Sequence, residues 1–130
     1  MQILVDTSVW IDFFRKISSR ETELLKQALE RREQIFITGI IAQEILQGIR
    51  QDSQHDSVLN YLLLFSRIED EFDDYLAAAK IYRTLRRRGV TVRSPVDCLI
   101  ASLAMKAQVS LLHNDSDFTA IARQFPLSLI

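Results

Sequence analysis

The sequence predicts an α/β fold in three layers, with helices on both faces of a central, mostly parallel sheet of short strands. Two observations carry this. Short runs such as Ile3-Leu4-Val5, Ile35-Phe36-Ile37 and Val109-Ser110-Leu111-Leu112 are apolar at nearly every position, as strands buried on both faces are. These runs alternate with longer stretches of helical periodicity, and strand–helix alternation builds a parallel sheet with helices covering it.

The elements follow in order. Residues 2–5 form a strand that ends at Asp6, and Thr7 or Ser8 starts a helix with Val9, Trp10, Phe13 and Phe14 as its apolar stripe. Ser18 with Glu21 has the spacing of a capping box, opening a helix that carries Leu24, Leu25, Ala28 and Leu29 inward. Residues 35–38 form the second strand. Gly39 turns the chain into a third helix, through Ile49, which carries Glu44. A fourth helix covers about 53–65, and Arg67-Ile68 is a brief extended piece. Asp70 begins a long helix with Leu76, Ala77, Ala79, Ile81 and Leu85, stopped at Gly89. Ser94-Pro95 reads as an N-cap followed by proline at the first helical position, which puts Asp97 in the first turn of a helix running to about Gln108. Residues 109–112 form a strand, 118–124 a short helix, and Leu127 to Ile130 a last strand. No repeat or linker divides residues 1–130, so a single domain is expected.

Bulk properties narrow the class. The composition is 48% hydrophobic with three Gly and two Pro, which suits a compact domain rather than a disordered chain. The chain enters a strand directly, with no basic leader, and has no apolar stretch of membrane-spanning length, so a cytoplasmic protein is expected. The single Cys98 reads as a small core residue in a reducing compartment. The net charge of −1 hides a division: setting aside five candidate site acids leaves 12 acidic residues against 16 basic ones. Arg83, Arg86, Arg87, Arg88 and Arg93 cluster, as a phosphate-binding patch or as a solvated helix end whose cations suit the dipole.

Those five acids are the main chemical feature. Asp6 ends an apolar strand, Glu44 interrupts an apolar helix, Asp97 sits between Val96 and Cys98-Leu99-Ile100, and Asp115 and Asp117 follow the run ending at Leu112. A carboxylate in apolar surroundings is costly unless its charge is compensated. In a parallel α/β sheet, strand ends and the helix N-termini that follow them gather on one edge, so these acids can meet there. Converging carboxylates need a cation, and an all-oxygen set suits Mg²⁺ or Mn²⁺. Each acid alone has an ordinary explanation, as N-cap, dipole partner or loop residue. Glu69-Asp70-Glu71 and Asp73-Asp74 lie at a helix start and read as solvated charge. Asp12 reads as the polar side of the first helix, and His55 and His113, unpaired, as structural or solvated.

The opening ILVDTSVWIDFFR resembles the start of PIN-domain proteins, in particular the VapC toxins of bacterial type II toxin–antitoxin pairs. IIAQEILQGI resembles the family's second acidic helix, and SPVDCLIASLAMKAQVSLLHNDSDF its third and fourth motifs in order and spacing. The similarity spans essentially the whole chain. It implies a PIN-like fold with Asp6, Glu44, Asp97 and Asp115 at the family's acidic positions and Asp117 as a further acid. Asp6, Asp97, Asp115 and Asp117 are then the metal ligands. Thr7 or Ser8 matches the supporting hydroxyl. His113 departs from the family pattern, which commonly has Thr there, and Asn114 is the candidate for that role.

The implied activity is that of a Mg²⁺- or Mn²⁺-dependent endoribonuclease, the toxin of its pair, cleaving RNA by attack of a metal-activated water to leave a 5′-phosphate and a 3′-hydroxyl. The implied partners are the RNA substrate, for whose phosphates the clustered Arg83, Arg86, Arg87 and Arg93 are the candidates, and a VapB-type antitoxin that fills an apolar groove with an acidic floor. Homodimers, through the first helices, and toxin–antitoxin hetero-oligomers are also implied. Two rival classes begin similarly. A phosphatase or phospho-receiver would show Asp-x-Asp or a Lys after a late strand, and neither is present. A non-catalytic PIN-like module would not need the complete acidic set.

Overall fold

A computed structural model describes all of residues 1–130. Four strands, β1 (Gln2–Val5), β2 (Gln34–Thr38), β3 (Ser66–Ile68) and β4 (Ser110–Leu112), form one parallel sheet in the order β3-β2-β1-β4. Helices α1 (Thr7–Phe14) and α2 (Arg20–Glu30) connect β1 to β2, and α3 (Gly39–Gln47) and α4 (Asp52–Leu62) connect β2 to β3. Helices α5 (Phe72–Arg87) and α6 (Pro95–Ala107) return the chain across the sheet to β4, and α7 (Ser116–Ala122) follows.

The topology explains the layering. Parallel crossovers are right-handed. The chain moves from β1 to β3 in one direction, which puts α1 to α4 on one face. It then jumps back past β1 to β4, which puts α5 and α6 on the other. Packing agrees, since α1 meets α2 and α3, α3 meets α4, and α6 meets α5 and α7. The direction reverses between β1 and β4, and such switch points open a crevice at the strands' carboxyl ends. The Asp6 N–H donates to the Leu112 carbonyl at 2.9 Å just there.

The core is one cluster of 30 buried apolar residues, with Leu4, Val5, Trp10, Leu25, Ile100, Leu103, Leu111 and Phe118 among the most deeply enclosed. Trp10 anchors an aromatic group with Phe13, Phe14, Tyr61 and Phe65. Val9 and Trp10 of the α1 stripe are thereby enclosed in the fold, while Phe13 and Phe14 stay partly exposed. Apolar surface is also exposed on α5, at Phe72, Tyr75 and Leu76.

Several boundaries differ from expectation. The capping box that starts α2 is Ser19 with Thr22, one residue later than Ser18 with Glu21, because the Thr22 hydroxyl reaches both the Ser19 N–H and the Ile17 carbonyl. On α5 the inward residues are Asp74, Ala78, Ile81 and Leu85, while Leu76, Ala77 and Ala79 face solvent. The chain end forms only a single bridge, Leu111 to Leu129, instead of a strand. Gly89 does stop α5, at a φ of 75° in the left-handed region.

Candidate metal centre

Asp6 ends β1 and caps α1: its Oδ2 accepts the Ser8 backbone N–H at 3.0 Å and the Ser8 hydroxyl at 2.6 Å. The Ser8 oxygen accepts the Asn114 N–H at 3.1 Å, so one hydroxyl ties the end of β1 to the loop after β4. Burial raises the Asp6 carboxyl above its ordinary range despite the downward pull of these bonds, and the charge of Asp115 adds to the rise.

Asp97 is the third residue of α6. Pro95 occupies the first helical position as expected, but the Ser94 hydroxyl makes no cap bond. Instead the N–H groups of Arg93 and Ser94 donate to Asp117 Oδ2 at 3.0 and 3.2 Å. Asp117 thus fastens the start of α6 to α7. Asp115 caps α7 by accepting the Asp117 N–H at 2.9 Å, and its own N–H donates to His113 Nδ1 at 3.1 Å. His113, edge-on to Phe118, is a positioning group for this loop.

These turns bring ligand oxygens of Asp97, Asp115 and Asp117 within 4.8 Å of one another. Asp97 is 7% exposed, and its Oδ2 is buried without any hydrogen-bond partner. Burial, the adjacent Asp117 carboxyl, and the charges of Asp115 and Asp6 push its carboxyl up to about 9. A cation seated among them would let Asp97 carry its charge beside the other two. A buried, unpartnered oxygen facing other carboxylates is what a site for a hard cation requires, so the residues fit a metal ion.

Glu44 and Asp6 lie outside this trio. Glu44 is half-buried on α3, and its Oε1 accepts the Thr7 hydroxyl at 2.7 Å, which holds it at the end of β1. Asp6 is near enough that its charge acts on Asp97. Asn114 works through its backbone N–H, while its side-chain amide reaches Asp12 at 3.5 Å. Asp12 was not expected near the site, although its position four residues after Ser8 places it on the same side of α1.

The basic residues divide. The Arg93 guanidinium lies over the acids, 3.4 Å from Asp115 and 3.8 Å from Asp117. Arg83, Arg86 and Arg87 are exposed on the distal half of α5 and pair with none of them, and Arg88 bonds Gln124.

The PIN domain family model matches residues 3–124. The chain belongs to the PIN domain family. Ribonuclease VapC11 of Mycobacterium tuberculosis is 42% identical to this PIN domain over 123 residues, covering 93% of the chain and 92% of the relative. Ribonuclease VapC1 of Methanocaldococcus jannaschii is 34% identical over 104 residues, 80% of the chain and 68% of the relative. Among solved structures, VapBC2 from Rickettsia felis, bound to a DNA fragment, superposes with a TM-score of 0.78 at 20% identity over 100% of this chain and 98% of that one. VapBC-1 from nontypeable Haemophilus influenzae gives 0.76 at 20% identity, over 100% and 97%. Those two superpositions speak for the fold alone.

Proposed function

We propose that this PIN domain, residues 1–130 acting as one unit, is a metal-dependent endoribonuclease and the toxin of a VapBC-type toxin–antitoxin pair. The observation that carries the reading is the unpartnered, buried Asp97 Oδ2 within a trio of carboxylates. The names of the relatives, VapC ribonucleases at up to 42% identity, supply the reaction class.

Asp97, Asp115 and Asp117, with Asp6 beside them, would hold Mg²⁺ or Mn²⁺, hard cations that accept oxygen ligands and retain waters. Such an ion lowers the pKa of a water and stabilises charge on phosphoryl oxygens. The chain's own contributions are separate. Ser8 fixes the Asp6 carboxylate, and the N–H groups at the start of α6 fix Asp117. Thr7 holds Glu44 through Oε1, which leaves Oε2 to accept a proton or orient a water. No histidine pair is placed for metal-free attack by a ribose 2′-hydroxyl, which favours hydrolysis leaving 5′-phosphate ends.

The partner we assign is a VapB-type antitoxin. A groove of about 400 Å³ between α1 and the end of α3 has apolar walls of Ile11, Phe14, Ile45 and Ile49. Its polar rim includes Arg15 and Arg50, so it suits apolar side chains flanked by a carboxylate, beside the separate acidic floor formed by Asp97, Asp115 and Asp117. A homodimer has two apolar surfaces to use, the partly exposed face of α1 and the exposed α5 stripe of Phe72, Tyr75 and Leu76. No helix is long and apolar enough to cross a membrane, and we assign the activity to the cytoplasm. The test is cleavage of total RNA by purified protein with Mg²⁺ or EDTA, mapping new 5′ ends. Metal-dependent 5′-phosphate ends are expected. Cleavage unaffected by EDTA overturns the proposal.

A further inference from the structure

We infer that the Arg93 guanidinium is a tethered cation that covers Asp115 and Asp117 when the site holds no metal, yields to the metal on binding, and then holds a phosphate of the RNA. The inference rests on the metal-dependent reading above and assigns Arg93 a place in that site's working cycle.

Arg93 is the only basic side chain paired with the acids of the site, at 3.4 Å to Asp115 and 3.8 Å to Asp117. Its side chain is 74% exposed. Long, exposed contacts of this kind are weak and screened by salt. A divalent ion therefore displaces them easily. The guanidinium also covers the site incompletely. It pairs with two carboxylates of the trio and leaves the buried Asp97 Oδ2 with no partner. An ion seated among all three satisfies what Arg93 cannot reach.

The backbone makes the exchange possible without collapse. Asp117 is fixed by the N–H groups of Arg93 and Ser94, not by the Arg93 side chain. Asp115 is fixed by its cap bond to Asp117 and by His113. The side chain can leave while the acids stay in register. Once released, a guanidinium at the mouth of an acidic centre is suited to phosphate, which it grips through a planar fork of donors. It would also offset the repulsion that the carboxylates exert on a polyanion.

Arg93→Ala separates this role from simple buttressing. The test measures Mn²⁺ binding to the full-length protein by electron paramagnetic resonance of free Mn²⁺, then RNA cleavage at saturating Mn²⁺. Removing a competing, repelling cation should tighten Mn²⁺ binding about three- to fivefold, the upper figure being about 1 kcal/mol. KM for RNA should rise at least about threefold, with a shallower salt dependence. Arg93→Gln should reproduce both changes, and Arg93→Lys should restore part of the RNA effect. A side chain that merely supports the acids would loosen Mn²⁺ when removed. Unchanged or weaker Mn²⁺ binding in Arg93→Ala overturns the competition, and an unchanged KM overturns the phosphate role. If the wild-type protein itself binds no Mn²⁺, the reading of the site fails first and this inference with it.

Discussion

Asp74 and Asp97 occupy the same position on neighbouring helices, the third residue of α5 and of α6, and both are buried, at 5% and 7% exposure. Their surroundings are opposite. Asp74 Oδ2 accepts the Lys106 ammonium at 2.7 Å and the Glu71 N–H at 2.7 Å, and Lys106 also bonds the Glu69 carbonyl at 3.0 Å. Burial pulls its carboxyl up, but the Lys106 bond, the Glu71 N–H and the lysine charge outweigh it, leaving the group below its usual range. Asp97 has no lysine. Its neighbours are Asp117, Asp115 and Asp6, and every contribution drives it upward. A buried acid that serves the fold is neutralised from within. A buried acid left bare costs stability and is kept for a ligand that arrives from outside.

The largest effect should come from breaking the bare side of this pair. Asp97→Asn should lower metal-dependent RNA cleavage at least ~10²-fold, since charge stabilisation in the transition state is lost. A gel assay at saturating Mg²⁺ checks it, and activity within threefold of wild type would remove Asp97 from the site. Glu44→Gln should also depress cleavage strongly but leave Mn²⁺ binding nearly intact, because Glu44 lies outside the three-carboxylate set.

The same Asp97→Asn variant should be more stable than wild type without metal. The sign follows from linkage. A carboxyl raised in the folded state from 3.8 to about 9 keeps its proton in the fold after the unfolded chain has lost it. Its contribution is full below pH 3.8 and is lost as pH rises towards 9. At pH 7 in EDTA, the amide should gain on the order of 1–3 kcal/mol, with the difference closing as pH falls towards 4. Asp74 has the opposite sign: its contribution is present above 3.8 and is lost as pH falls through its depressed value. Urea unfolding of both proteins across pH 4–8 measures this. A neutral-pH loss of stability in Asp97→Asn would show that Asp97 is structural after all.

On the compensated side, Lys106→Met should lower Tm by about 5 °C and leave cleavage within about twofold, because Asp74 loses its cation while the trio keeps its geometry. Differential scanning calorimetry with an activity assay on the same preparation tests this. A collapse of activity at an unchanged Tm would couple the two acids and end the contrast between them.

Much of this was legible in the chain. Parallel layering followed from strands apolar at nearly every position, and the edge where the acids gather from their places at strand ends and a helix start. Asp74 was not legible. In the string Glu69 to Asp74 it looks like its four acidic neighbours, and only the packing of α5 on α6 brings Lys106, 32 residues away, onto it. The apolar residues of α5 misled for a related reason, since Leu76 and Ala77 read as core but are exposed. The separation of Arg93 from Arg83, Arg86 and Arg87 was hidden too. It depends on Gly89 turning the chain by its left-handed φ, which carries Arg93 to the acids and leaves the others on the helix.

That separation gives the smallest expected effect. Arg86 and Arg87 lie in the last turn of α5, where cations suit the helix dipole, and neither meets an acid of the site. If they guide RNA, Arg86→Ala with Arg87→Ala should weaken binding of all RNAs alike by a few-fold. The slope of log affinity against log salt should shrink by about 1.4 for a single strand losing two phosphate contacts. Mn²⁺ binding should not change, in contrast to Arg93→Ala, because the exposed distal end of α5 carries no pair to Asp115 or Asp117. Fluorescence anisotropy of labelled RNA at two salt concentrations, in an Asp97→Asn background that does not cleave, reads both quantities. Equal affinities at both salts would leave Arg86 and Arg87 as cations that serve only the end of their own helix, a cationic counterpart of Asp74, with Arg93 alone facing the substrate.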